Sequence, residues 1–179
     1  QAVTGARITV EIQDAQIRGY LGQLRFALAR PEVLTDPIGV RLRDNTQDRF
    51  ATERAPDGTP WAALNPIYAE IKRGPGILRG PNWSRSGLNN SITYEAQGWD
   101  VAVGSNKVYA AIHQFGGTIK PKKPGGLLML RTAGGAIWGT AKEVTIPARP
   151  YLGLSEDDRR DVLDIIADWH DRAGRGAGR

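Results

Sequence analysis

Two histidines, a run of aspartates and several glycine-rich pieces are the residues of this chain whose types and spacing suggest chemistry. His113 lies in Val108-Tyr-Ala-Ala-Ile-His-Gln-Phe-Gly-Gly117, and His170 lies in Asp168-Trp-His-Asp171. A hydrolytic triad needs a nucleophile, an imidazole base and an orienting acid that converge in space. No Gly-x-Ser-x-Gly elbow surrounds a serine, no cysteine exists, and His113 has no second histidine near it in sequence. His170 reads as an exposed residue near a helix C-terminus, where it complements the helix dipole. Asp157, Asp158 and Asp161 have the look of a metal cluster, but they open a helix, where acids belong for the same electrostatic reason. The glycines at 74–76, 116–117, 125–126 and 134–135 carry neither a Walker lysine nor a dinucleotide fingerprint. The residues therefore point away from an enzyme, and no catalytic residue, cofactor or metal site is expected. His113 is expected to stand beside Tyr109 and to hydrogen-bond nearby backbone or partner groups.

Charge is uneven along the chain. The net charge is +5 over 179 residues. Residues 1–60 carry eight basic and eight acidic side chains, residues 61–154 eleven and four, and residues 155–179 five and seven. A basic middle and an acidic end suit an anionic partner, a plain solvated surface or a head-to-tail contact between copies. Lys72, Arg73, Arg79 and Arg85 around Trp83, with Lys120, Lys122 and Lys123 further on, form the footprint of a single-strand binder. A nucleic-acid-binding module using the basic 72–85 and 120–123 segments is thus the alternative reading. No apolar run approaches the ~20 residues that span a bilayer, so no membrane partner is expected. No signal-peptide pattern opens the chain.

The elements that must position these residues follow from periodicity. Arg7–Ile12 alternates like a half-buried strand. Asp14 caps a helix with Ile17, Leu21, Leu24 and Leu28 on one face, ended by Pro31. Asp36-Pro37 opens a second helix to about Thr52, with Ile38, Leu42 and Phe50 inward. Asn65-Pro66 opens a short one to about Lys72. Residues 91–104 form a hairpin about Gln97-Gly98, pairing Ala96 with Trp99, Tyr94 with Val101 and Ile92 with Val103. From Asn106 as N-cap, a helix buries Val108, Ile112 and Phe115 and stops at Gly116. Residues 117–142 read as a long loop or extended hairpin, followed by a strand at Glu143–Ile146. Ser155-Glu-Asp-Asp158 starts a last helix, its buried face made by Val162, Ile166 and Trp169 and widened by Leu163 and Ile165. One domain over residues 1–172 is expected, with a flexible Gly/Arg tail at 173–179.

Four stretches in order complete the reading. They are Arg49-Phe50 leading to Pro56-Asp-Gly-Thr-Pro-Trp61, then Ser84-Arg-Ser-Gly-Leu-Asn-Asn-Ser-Ile92, then Tyr109-Ala-Ala-Ile-His-Gln-Phe-Gly-Gly117, and Ile146-Pro-Ala-Arg-Pro-Tyr-Leu-Gly153. In this order and spacing the chain resembles the phage virion morphogenesis family, the Mu-type tail-completion proteins. Trp61, Tyr109, His113, Phe115, Gly116 and Gly117 are the structural motif residues. The resemblance implies an α+β fold, a small mostly antiparallel sheet packed by two to four helices. It implies a structural protein of the virion, a tail terminator or completion factor at the head–tail junction, assembled in the host cytoplasm. It implies a homo-oligomeric ring of six copies, with tail tube, sheath and head-side neck or connector proteins as partners. DNA would pass through without sequence-specific contact. The 118–142 insertion departs most from the family pattern. The candidate interface is Lys120, Lys122, Lys123, Leu128, Met129 and Trp138 on the insertion, against Asp157, Asp158 and Asp161 on the last helix.

Overall fold

A long helix laid across a two-stranded hairpin forms the body of the protein. The computed structural model describes residues 15–72, 74–80, 87–132 and 135–176. The expected strand Arg7–Ile12, the Asp14 cap, and Arg73, Trp83 and Arg85 of the basic cluster lie outside them. Among the described residues are five α-helices and six short strands, an α+β fold. The strands pair as three separate antiparallel ladders of two strands each and not as one sheet.

Helix α1 (Ala15–Ala29) leads into α2 (Glu32–Thr52). The expected start of α2 at Asp36-Pro37 is five residues late: Pro31 occupies the N-cap and Pro37 lies inside the helix. A proline there gives up one helical hydrogen bond. The first turn holds because the Thr35 hydroxyl reaches both the Pro31 carbonyl and the Gly98 carbonyl of the hairpin, each at 3.2 Å. Further along, Gly39 lets α2 approach the hairpin closely. A Cβ at this position would sit 2.2 Å from the Tyr94 ring.

That hairpin joins β1 (Ile92–Gln97) to β2 (Asp100–Ser105). Its register differs from the expected one. Gln97 faces Asp100, Ala96 faces Val101, and Tyr94 faces Val103, so the loop is Gly98-Trp99. Gly98 takes φ 57° and Trp99 does not enter the left-handed region, which places glycine at the first loop position as a II′ turn demands. The slip is two residues, so every side chain keeps its face. Trp99 moves from a paired position to the exposed turn.

Helix α3 (Pro66–Ile71) begins as expected, with the Asn65 side chain accepting from the Ile67 and Tyr68 amides. Helix α4 (Ala110–Phe115) starts later than expected, with Tyr109 and not Asn106 at its N-cap. Val108 is fully exposed and Phe115 is 78% exposed, so of the expected buried stripe only Ile112 is half-buried. Ala110 and Gln114, one turn apart, face the body instead. Hydrogen bonds to residues 151–152, described below, set that rotation.

Residues 117–132 and 135–146 form an arm of two antiparallel ladders. Strands β3 (Gly117–Ile119) and β6 (Val144–Ile146) pair at its base. Strands β4 (Leu128–Arg131) and β5 (Ile137–Ala141) pair beyond, with a bulge at Leu130/Arg131. The pair β4–β5 packs mainly on itself.

Helix α5 (Glu156–Gly176) runs past Arg172, through part of the expected flexible tail. Ser155 and Asp158 close a reciprocal capping box. The Asp158 amide donates to the Ser155 hydroxyl at 3.1 Å, and the Ser155 amide donates to the Asp158 carboxylate at 2.7 Å. Helix α5 packs on α1 and α2. Val162, Ile165 and Trp169 are half-buried, while Leu163 and Ile166 of the expected buried face are exposed.

Candidate functional site

Several motif residues converge on one segment, 146–155, which acts as a strap across the body. Phe50, Trp61 and Tyr151 meet in the core, Phe50 lying 5.3 Å from each of the other two rings. The Trp61 indole donates to the Pro150 carbonyl at 2.8 Å. The buried Arg149 donates to the Ala62 and Ala63 carbonyls at 2.7 and 2.9 Å. Its own amide donates to the His113 carbonyl at 2.7 Å. The Gln114 carboxamide oxygen accepts from the Tyr151 and Leu152 amides, both at 3.0 Å, while its amide returns a bond to the Leu152 carbonyl. The Tyr151 hydroxyl donates to the Ala110 carbonyl at 3.2 Å.

Arg49 closes the far end of the strap. It donates to the Tyr151 and Gly153 carbonyls, each at 2.9 Å, and forms an ion pair with Asp158. Both side chains are buried. Burial raises the Asp158 carboxyl pKa, but hydrogen bonds from Ser155 and Asn45 and the Arg49 charge outweigh it and hold the group below its ordinary value. The Asn45 amide bridges Asp158 and Asp161 at 2.9 and 2.6 Å.

The motif stretches thus meet in space: Arg49-Phe50, Trp61, Leu88 to Ile92, Ala110 to Gly117 and Ile146 to Gly153. Gly116 takes φ 72°, and a Cβ there would meet the Ala148 amide nitrogen at 2.8 Å. Only glycine lets α4 stop there and turn into the arm.

His113 holds this geometry through its backbone carbonyl. Its ring lies 6.0 Å from Tyr109, edge to face, beside it as expected. The expected side-chain hydrogen bond is not observed at Nδ1, which is buried without a partner. Burial, then the Arg149 charge, lowers the imidazole pKa below its ordinary value. An imidazole without an acidic partner at Nδ1 lacks the orienting group of a triad. Among the described residues no cluster of three or more His, Asp or Glu side chains is arranged to hold a metal ion. No described helix is long and apolar enough to cross a membrane.

The candidate interface residues separate into two groups. Asp158 is taken into the body by Arg49, so it is not available to a neighbouring copy. Asp161 is half-buried on Asn45. Asp157 is exposed and pairs with Arg160 on its own helix. On the arm, Lys122 and Lys123 are exposed, and Lys120 lies 3.5 Å from Glu143 across β3–β6. Met129 is 61% exposed, whereas Leu128 and Trp138 are half-buried. Of the other basic segment, Lys72 is turned onto the Gly74 and Arg79 carbonyls at 3.2 and 3.0 Å, and burial lowers its pKa.

Sequence reasoning missed a groove between α1, α2 and α5. It has a volume of about 310 Å³ and is lined by Val33, Leu34, Pro37, Ile165, Asp168 and Trp169 among others. The exposed Leu21 and Leu28 on α1 and Ile166 on α5 belong to the same helices. Its signal in the sequence was the apolar spacing of two helices read as wholly inward.

Among the described residues the motif side chains build a scaffold around the strap. The sequence profile of the phage virion morphogenesis family matches residues 12–170. The chain belongs to that family. It is similar to Mu-like prophage FluMu G protein 2 of Haemophilus influenzae, 31% identical over 163 residues, 90% of this chain and 95% of that protein. It is also similar to putative capsid assembly protein G of Escherichia phage Mu, 29% identical over 165 residues, 89% of this chain and 90% of that protein. Tail completion protein S of Escherichia phage P2 is 24% identical over 137 residues, 74% of this chain and 79% of that protein. No solved structure matches the chain. Membership gives the family member a structural role in phage morphogenesis.

Proposed function

We propose that this protein is a tail terminator or completion factor that closes as a ring at the head–tail junction. Copies add to the finished end of the tail tube, stop its growth and present a docking face to the capsid neck. The names of the Mu and P2 relatives, capsid assembly and tail completion, support this reading. One observation carries it: apolar side chains of the arm and of α1 and α5 face outward, at Leu21, Leu28, Met129, Ile137 and Leu163. Exposed apolar patches of this kind mark interaction surfaces. A ring needs two different patches that meet between neighbours, and the arm and the helical face are such a pair. Each contact is modest, but a ring engages all its copies together. No residue is assigned to catalysis.

Electron microscopy of the purified protein, alone and mixed with tail tubes, tests the proposal. Rings seated on tube ends are the expected result. A monomer at every concentration that never binds tubes overturns it. Binding to DNA with a steep salt dependence, without rings, supports the basic segments as a nucleic-acid site instead.

A further inference from the structure

The arm is basic, and the α5 side of the groove carries a stripe of acidic residues. On the arm, Met129 and Arg131 share one face, with Ile137 paired opposite Arg131. Residues 117–146 hold five basic side chains, Lys120, Lys122, Lys123, Arg131 and Lys142, and one acidic, Glu143. On α5, Asp157, Asp161, Asp164 and Asp168 recur at four, three and four residues, one continuous helical stripe. Its first two members are engaged, by Arg160 and Asn45. Asp164 and Asp168 have no side-chain ion pair among the described residues, and Asp168 lines the groove. Val33, Leu34, Pro37, Ile165 and Trp169 give the groove an apolar side, and Gln23, Asp168 and Arg172 line the rest of it.

We infer that the β4–β5 arm of one copy docks in the α1–α2–α5 groove of the next copy. Met129 and Ile137 meet the apolar side of the groove, and the lysines at 122 and 123 lie along the Asp164–Asp168 side of α5. The contact is heterologous, arm to groove, and leaves each copy with one free arm and one free groove until a ring closes. It rests on the ring reading above and specifies which surfaces make the ring. The apolar contact supplies affinity, and the charges fix which way the arm lies.

The chain has no cysteine, so single cysteines can be placed as reporters. Met129→Cys on the arm and Val33→Cys in the groove are made as separate proteins, mixed, and treated with a short flexible bis-maleimide. Thr93→Cys on β1 replaces Val33→Cys in the control mixture. Docking raises the effective concentration of the two thiols, so cross-linked dimer should exceed the control by about tenfold or more. Oligomers that persist in light scattering while the cross-link stays at the control level overturn the docking and leave the ring reading intact. Absence of any oligomer overturns both. A cross-link forming within one chain that carries both cysteines shows the arm seated on its own groove, and also overturns the inference. As a second reading of the same contact, Lys122→Glu with Lys123→Glu should abolish assembly. Mixing that protein with Asp164→Lys, Asp168→Lys chains should restore it, and failure of the exchanged pair to reassemble counts against the inference.

Discussion

The strap and the arm are neighbours in sequence, joined at Ile146, yet they are built by opposite rules. In the strap, Arg149 bonds to Ala62, and Tyr151 and Leu152 bond to Ala110 and Gln114 of α4, beside the aromatic core. In the arm, Met129, Leu127 and Ile137 point outward and the strands pair mainly with each other. Buried polar groups are costly unless fully bonded, so a saturated segment resists change. A ladder of two short strands is marginal alone and gains from a partner. The fold is therefore closed at the strap and less supported at the arm.

The largest expected effect breaks the strap. Arg49→Met removes the cation that Asp158 faces and the donors to the Tyr151 and Gly153 carbonyls. Leaving one member of a buried pair uncompensated typically costs about 3–5 kcal/mol. Urea unfolding should show a loss of that size. A loss under about 1 kcal/mol, the value of an exposed pair, would mean that the strap is no more closed than the arm.

How much of this was legible follows the distance over which each decision is made. The capping box at Ser155 and the Asn65 cap are local, and their residue types announce them. The hairpin was visible as alternation, but alternation with period two cannot distinguish registers that differ by two residues. Gly98, where the chain needs a positive φ, decides between them. Asp158 looked like its neighbours because its partner Arg49 lies 109 residues away. Val108 and Phe115 misled for a different reason. A helical stripe shows that a face is apolar, not that this chain covers it. On α4 the bonds of Ala110 and Gln114 to the strap decide which face turns in.

A smaller effect sharpens the comparison beside the strap, at His113 of α4. The folded imidazole of His113 has its pKa below the ordinary value of 6.5. As pH falls through 6.5 the unfolded chain binds this proton first, so stability falls with pH in that window, until the folded pKa is reached. The melting temperature of the native chain should drop between pH 7 and pH 5. His113→Gln should flatten that drop, leaving only other groups to titrate. An unchanged slope in the variant would show that the buried ring does not resist protonation.

The smallest effect on folding belongs to the arm, and it tests the comparison from the other side. Met129→Ser removes an exposed apolar side chain from a strand that packs little on the body. Surface substitutions of this kind change stability by about 0.5 kcal/mol or less. Urea midpoints of the monomeric chain should therefore coincide with those of the native protein. Sedimentation should nonetheless show weaker assembly, since the same side chain is the proposed occupant of a neighbour's groove. Lowered stability with unchanged assembly would reverse the assignment, making the arm part of the protomer's own core and the outward apolar residues incidental.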